Sequence, residues 1–164
     1  MNRNAVAAIA LASLSALPAA RAEIGLDLSY VDTSSPAWKR FVDWVDLALD
    51  GTPPYGFSAT DAVYVYRVTG NAIYADLAID TVEAHVVEAE AAIALGQAPP
   101  VAGDQYLESG PMIHDVALVR AWCDALLTPT QRQRWAAYAE QTVWNIWHHQ
   151  QATWGGQPHP WPGW

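Results

Sequence analysis

Five stretches of this chain repeat apolar residues at three- and four-residue steps, with capping or helix-breaking residues between them. Such spacing places the apolar side chains on one face of an α-helix. The stretches are residues 36–49, 58–68, 71–95, 113–127 and 129–149. Ser35 and Thr128 each precede a proline, which is typical of a helix N-cap followed by the first helical position. Because no strand-like alternation of useful length occurs, the sequence predicts an all-α fold.

The four later helices form two pairs, so we predict an all-α fold built of antiparallel helical hairpins. The pairs are 58–68 with 71–95, and 113–127 with 129–149. Each pair must bury one face against its neighbours, as in repeat architectures. The predicted domain organisation is a lead-in segment at 23–35, a helical-hairpin domain at 36–151 and a Trp/Gly/Pro-rich loop tail at 152–164.

The third and fifth helices each have an apolar line that we expect to be buried. In the third helix this line contains Ala75, Ile79, Val82, Val86, Ala89 and Ile93, and the acids Asp76, Asp80, Glu83 and Glu90 lie on a wetter face. In the fifth helix the line contains Ala136, Ala139, Val143 and Trp147. We also expect Trp144 and Trp147 to belong to the core, because helical tryptophans are mostly buried.

Residues 1–22 have the pattern of a secretory signal peptide. Arg3 precedes a short apolar stretch, and Ala20-Arg21-Ala22 provides a small-x-small cleavage site. An uncleaved anchor would need about 20 apolar residues, which this stretch does not reach comfortably. We therefore predict an exported protein, periplasmic or secreted, that is cleaved after Ala22.

The charge of the exported chain limits its partners. Cleavage removes Arg3 and Arg21 and no acid, leaving six basic residues against seventeen acidic ones, a formal net charge of −11. Neither nucleic acid nor an anionic membrane surface attracts such a protein, so we expect neither as a partner. A polyanionic sugar is mildly disfavoured unless positive charge is concentrated locally.

The sequence predicts neither a metal site nor a cofactor. Adjacent His148 and His149 point about 100° apart on a helix, so they are poorly placed to share an ion, and no carboxylate or cysteine lies near them in sequence. Cys123 is the only cysteine, which excludes an intramolecular disulfide. Its apolar neighbours indicate a small buried side chain rather than a nucleophile.

Aromatic residues near the C-terminal end are the candidate sugar-binding residues. Five of the nine tryptophans lie within residues 144–164. Flat apolar sugar faces stack on aromatic rings, and the sugar hydroxyls form hydrogen bonds at the rim. The predicted substrate-binding residues are Tyr106, His114, Trp154, His159, Trp161 and Trp164. His114-Asp115 has a plainer interpretation, in which the acid is favoured near a helix N-terminus.

The third helix and the turn before it contain a motif known from (α/α) toroid enzymes. The segment TGNAIYADLAIDTVEA resembles their recurrent signature TG-[DN]-x-x-Tyr-Ala-x-x-Ala. The matching residues are Thr69, Gly70, Asn71, Tyr74, Ala75 and Ala78.

The segment HDVALVRAWCDALLTPTQRQRW resembles the next helix–turn–helix of heparinase II/III-like and alginate-lyase-like polysaccharide lyases. That pattern is roughly Ala-Leu-x-Tyr-Asp-Trp … Leu-Thr-x-x-x-Arg, and the matching residues are Ala117, Leu118, Trp122, Leu127, Thr128 and Arg132. The chain departs from it at Arg120-Ala121, where the pattern has Tyr-Asp. The resemblance covers about residues 36–164 and implies an incomplete (α/α) toroid, the N-terminal part of such a lyase.

The resemblance implies β-elimination on an acidic polysaccharide. In these lyases Asn, His, Arg and Tyr neutralise the uronate carboxylate and move the proton. Their Asn-rich catalytic segment follows a Trp-rich loop, whereas no Asn follows Asn145 in this chain. The resemblance therefore implies a chain that binds or acts on polysaccharide as part of a larger protein and is inactive alone.

A partial toroid would leave helical faces exposed, which predicts self-association.

An alternative, non-enzymatic function also stays open. In it the chain is a small exported helical module that binds a glycan or a protein through its aromatic tail.

Overall fold

The computed structural model describes residues 24–103 and 105–161, and the side chains of Gln105 and Tyr106 are not among those described. The predicted signal peptide and its cleavage site therefore lie outside the described residues. Five α-helices follow one another, and a small antiparallel ribbon ends the described part. The bounds are α1 Pro36–Leu49, α2 Ala59–Thr69, α3 Ala72–Ala94, α4 Gly110–Cys123 and α5 Pro129–Trp147, then β1 Thr153–Trp154 and β2 Gln157–Pro158.

The all-α prediction is confirmed, and several helices begin at the capping residues that the sequence indicates. Ser35 Oγ accepts a hydrogen bond from the Trp38 amide at 3.1 Å. Thr128 and Gln131 exchange two bonds, one from each backbone amide to the other side chain. These contacts satisfy amides that have no partner in the first turn of a helix.

The connection between α3 and α4 is more structured than a loop. It contains a 3₁₀ turn at Pro100–Ala102 and a π-helical turn at Gln105–Ser109. Helix α4 starts at Gly110, earlier than the expected residue 113, because Pro111 lies in its first turn, where proline is tolerated.

Helices adjacent in sequence contact each other, and α4 lies at the centre of the packing. Helix α2 contacts α3, and α4 contacts α5, while α4 also packs against both α2 and α3. The central core is formed by small and β-branched side chains of α2, α3 and α4. Its fully enclosed members include Ala62, Val63, Val65, Ala75, Ala78, Val86 and Val119.

Helix α5 is rotated relative to the prediction from its apolar line. Its buried face is formed by Trp135, Tyr138, Thr142 and Asn145. The predicted line fails because Val143 and Trp147 are exposed, and Trp144 is exposed beside them. Thr142 and Asn145 can be buried because each has hydrogen-bond partners: Thr142 Oγ1 donates to the Tyr138 carbonyl at 2.8 Å, and Asn145 bonds residue 153.

The tail is a folded ribbon where the sequence predicted a loop. Strand β1 pairs antiparallel with β2, so that Thr153 lies opposite Pro158 and Trp154 lies opposite Gln157. Gly155 and Gly156 form the turn, with φ of 56° and 76°. Two successive positive φ values are the geometry of the two-residue turn that favours hairpins, and glycine adopts it without strain.

The lead-in segment lies against the helices. Ile24 accepts a hydrogen bond on its carbonyl from the Trp122 indole nitrogen at 2.9 Å. The Arg67 guanidinium lies 5.3 Å from the centre of the Trp122 ring, within cation–π distance.

No helix in the described ranges is long and apolar enough to cross a membrane.

Candidate functional site

The most exposed aromatic side chains of the helices lie on the solvent side of α5. Trp147 is 78% exposed, Trp144 is 42% exposed and Val143 is 41% exposed. His148 stacks on Trp144 with ring centroids 4.4 Å apart and planes 19° apart. We call this set of four residues the indole patch. Exposed tryptophan is costly in water, so the patch is a candidate for binding.

An open groove between α4 and α5 continues along the same side of α5. Its volume is about 510 Å³, and its lining residues are Arg120, Pro129, Arg132, Gln133, Ala136, Ala137 and Glu140. Ala137, Glu140, Trp144 and Trp147 follow one another at three- and four-residue steps, so they form one stripe. The ten residues from Ala137 to Trp147 rise about 15 Å along the helix. The groove and the indole patch are therefore one elongated surface.

Two arginines supply the positive charge of the groove. Arg132 is held in place, because its guanidinium donates to the Leu127 carbonyl and lies 3.7 Å from the Asp124 carboxylate. Arg120 is exposed and has no ion pair with any residue in the described part of the chain. Because Arg132 faces Asp124 and Glu140 also lines the groove, Arg120 is the arginine whose charge is available to a ligand there.

The tail tryptophans proposed from the sequence are buried. Trp154 is 2% exposed and Trp161 is 5% exposed, and the ring of Trp154 lies 6.3 Å from that of Tyr138. Their indole nitrogens are buried without a hydrogen-bond partner, as is Nε2 of the half-buried His159. An unpaired buried donor costs about 1–3 kcal/mol, so this arrangement is unusual for a packed segment.

Asn145 attaches the tail to α5. Its Nδ2 donates to the Thr153 carbonyl at 2.8 Å, and its Oδ1 accepts from the Thr153 amide at 3.1 Å. The side chain of Gln141 helps to hold that of Asn145 in place, because its Nε2 donates to Asn145 Oδ1 at 2.9 Å. The side chain of Asn145 thus pairs with β1 as a neighbouring strand would. This contact explains why a polar residue is fully buried on α5.

A half-buried histidine and a buried tyrosine form a pair that the sequence did not indicate. His85 Nε2 lies 2.7 Å from the Tyr138 hydroxyl, and the two rings are arranged edge to face. Burial lowers the pKa of His85, with Glu88 and Asp115 acting in the opposite direction. Burial also raises the pKa of Tyr138, and Glu88 adds to the effect. Both groups are therefore neutral near pH 7. The two residues are 53 positions apart in sequence, so the pattern of the sequence does not indicate their contact.

The acidic face of α3 is partly engaged by α5. Arg134 donates to the carboxylates of both Glu83 and Glu90, and the Trp135 indole donates to Glu83 at 2.7 Å. Burial raises the pKa of Glu83, but the hydrogen bonds from Arg134 and Trp135 outweigh it and the net pKa is lowered. These two acids join helices, whereas Asp76 and Asp80 are solvated as expected.

Asp115 has a structural role in a neighbouring helix. Its carboxylate accepts the backbone amides of Ala59 at 3.2 Å and Thr60 at 3.1 Å, and also the Thr60 hydroxyl. It therefore caps the N-terminus of α2 from α4, where the sequence placed it as a first-turn acid of its own helix. His114 is exposed beside it, with Nδ1 3.5 Å from the Thr60 hydroxyl.

The structure does not gather the predicted substrate-binding residues into one exposed surface. His114 is on α4, whereas Trp154, His159 and Trp161 belong to the buried side of the tail. The side chain of Tyr106 and all of Trp164 lie outside the described residues. Their role in binding sugar stays a prediction, and the exposed indoles of α5 are the residues that the sequence assigned to the core.

Neither a metal cluster nor a reactive cysteine is found in residues 24–103 and 105–161. No group of three or more His, Cys, Asp or Glu side chains there could hold a metal ion. Cys123 is buried as expected, and burial raises the pKa of its thiol to about 11. The thiol is therefore protonated near neutral pH and is a poor nucleophile.

Comparison with known proteins leaves the family open. No protein-family model matches the chain, and neither curated proteins nor solved structures show significant similarity to it.

Proposed function

We propose that this chain belongs to an exported, polysaccharide-lyase-like (α/α) toroid protein and that its described helices bind an acidic polysaccharide. Binding occurs along α5, on the elongated surface formed by the indole patch and the arginine groove. The sugar is bound and is not cleaved by these residues. The hairpins would be successive units of the toroid.

The observation that carries the proposal is the exposure of Trp147 and Trp144 in line with a groove that contains Arg120 and Arg132. Indoles stack on the apolar faces of sugar rings. Guanidinium groups bind carboxylates through paired hydrogen bonds, which suits a uronic acid. A surface about 15 Å long accommodates several linked sugar units.

The position of the positive charge matters because the protein as a whole is acidic. A polyanion approaching at random is repelled by the net charge, and salt weakens that repulsion beyond about 10 Å. Arginine on the groove provides attraction only over a short range. The proposal therefore favours a ligand whose carboxylates reach the groove while its sugar faces reach the indoles.

The proposal is limited to binding because the motif matches that suggest a lyase lie in helices and turns. Thr69, Gly70 and Asn71 form the turn into α3, and Thr128 caps α5. Such residues maintain a fold and carry no chemistry, and one fold supports several reactions. The His85–Tyr138 pair, whose hydroxyl belongs to the buried Tyr138, is given no catalytic part.

Calorimetric titration of the protein lacking residues 1–22 with an alginate tetrasaccharide tests this proposal. We expect binding that Trp147→Ala weakens by about fivefold, since loss of one stacking contact costs on the order of 1 kcal/mol. Arg120→Ser is expected to remove the preference for alginate over a neutral cellotetraose. Tyr55→Ala is the matched control, because Tyr55 is a fully exposed aromatic residue in the α1–α2 connection.

Two results would overturn the proposal. One is an alginate affinity that Trp147→Ala leaves unchanged. The other is the absence of measurable binding to either sugar by a folded protein, which would favour the alternative of a helical module that binds another protein.

A further inference from the structure

The tail, residues 152–161, contains a set of buried polar atoms that the fold does not satisfy. The indole nitrogens of Trp154 and Trp161 and Nε2 of His159 have no hydrogen-bond partner, although the two indoles are almost fully enclosed. Elsewhere in the same region polar groups are well matched, as the four bonds around Asn145 and Thr153 illustrate. Three of the four buried side-chain atoms without a partner in the described residues therefore lie in this segment, the fourth being Nε of Arg132.

The register of the ribbon places the side chains of Trp154 and His159 on the same side. Trp154 lies opposite Gln157, and the His159 amide donates to the Ala152 carbonyl at 2.8 Å, which continues the same pairing. Alternate residues of a strand share a face, so Trp154, His159 and Ala152 lie on one side of the ribbon. Trp161 follows His159 by two positions and is buried with them.

Hydrogen bonds from α5 and from the turn that follows it hold this face closed. The Asn145 side chain bonds Thr153, and the Trp161 amide donates to the His149 carbonyl at 2.8 Å. The turn rests on the end of α3, where a Cβ added to Gly155 would meet Ile93 Cγ2 at 2.8 Å. None of these bonds joins α2, α3 and α4 to one another, although Ala152, Trp154 and Trp161 are themselves part of the hydrophobic core.

We infer that residues 152–161 are a latch that opens to bind a carbohydrate with the rings and the indole N–H groups of Trp154 and Trp161. In the closed state the two rings are packed but their donors are unsatisfied. An indole nitrogen can only donate, so its partner must carry acceptors next to a flat apolar face. A sugar ring presents such a face with hydroxyl oxygens at its rim. This inference rests on the proposed function and adds a second, concealed sugar-binding surface to it.

Amide hydrogen exchange measured by NMR tests the latch in the unmodified exported chain. The amides of Thr153 and Trp161 bond residues outside the latch and are therefore bonded only in the closed state, whereas that of Val86 lies in the buried part of α3. We expect these two tail amides to exchange at least ~100-fold faster than Val86, because local opening costs less than global unfolding. A saturating alginate tetrasaccharide should accelerate the tail amides further, by about tenfold, as it selects the open state.

Asn145→Ala provides a second test. By removing the bonds to Thr153 it should favour the open state and tighten tetrasaccharide binding by up to about tenfold, since less of the binding free energy is used for opening. The comparison is made only if the variant keeps the helical circular dichroism of the parent. If it does not fold, the exchange measurement on the parent decides.

The outcomes separate this inference from the proposed function. Tail amides that exchange as slowly as Val86, or that the sugar leaves unchanged or protects, would overturn the latch. If Trp147→Ala still weakens sugar binding in that case, the proposed function stands without it. A tail that opens in a protein that binds no sugar would contradict both the proposed ligand and the role of the latch.

Discussion

His85 is a residue whose environment determines its charge. It lies between helices with its Nε2 against the Tyr138 hydroxyl, and burial lowers its pKa. A histidine in an unfolded chain has a pKa near 6.5. The unfolded state therefore binds a proton at a pH where the folded state does not, and stability must depend on pH there.

The prediction is that acidification destabilises the protein through His85. The contribution is fully present above the unfolded pKa and is lost as pH falls through about 6.5 toward the lower folded pKa, because the unfolded state then binds more protons. We expect Tm to fall by a few degrees between pH 7.5 and pH 5. His85→Gln should make this decrease shallower, as circular dichroism melts at each pH can show. Parallel pH profiles for the two proteins would refute the assignment.

Among the helices, α5 shows which structural features the sequence predicts and which it does not. The caps at Ser35 and Thr128 and the apolar line of α3 were predicted correctly, because capping bonds and continuous apolar stripes are local. The prediction of which face of α5 is buried was wrong. Its buried face includes Thr142 and Asn145, which count as polar in a pattern but are satisfied by partners distant from their own positions.

Substitution of two tryptophans measures that orientation directly. Trp135→Ala should destabilise the protein by about 3–5 kcal/mol, since loss of a fully buried indole leaves a cavity and removes one of the hydrogen bonds to Glu83. Trp147→Ala removes an exposed ring and should change stability by less than about 0.5 kcal/mol. Urea denaturation of both variants gives the comparison. Similar losses in the two variants would mean that α5 is packed on the side first predicted.

The candidate site was harder to predict than the fold, for a related reason. A cluster of aromatic residues indicates either a buried core or a binding surface. The sequence does not indicate which of the aromatic residues are buried and which are exposed for binding. Trp154 and Trp161 are enclosed because a two-glycine turn folds the tail back onto α3 and Asn145 holds it there. Trp144 and Trp147 are exposed as the consequence of the rotation of α5. Arg120 joined the site only through the packing of α4 on α5.

For the whole molecule, the indole patch predicts association. Val143, Trp144 and Trp147 form an apolar strip on a protein whose remaining surface is strongly acidic. Contact between two such strips would bury the rings while keeping the acidic surfaces apart. We expect sedimentation velocity of the protein lacking residues 1–22 to show self-association at micromolar to low-millimolar concentrations. Trp147→Lys should reduce this self-association.

Salt provides the control for that measurement. Association through apolar rings should persist or strengthen at high salt, because screening weakens the repulsion between acidic chains. A protein that is monomeric under all these conditions, with a cooperative melt, would contradict both the exposed strip and the partial-toroid expectation.

The central claim is that sugar binds on the outer side of α5, and the indole N–H signals report on it individually. Each of the nine tryptophans gives one such signal in a ¹H–¹⁵N spectrum. On titration with alginate tetrasaccharide we expect the signals of Trp147 and Trp144 to shift with saturation, while that of Trp135, bonded to Glu83 in the core, stays in place. Unchanged Trp147 and Trp144 signals in the presence of sugar would contradict the account.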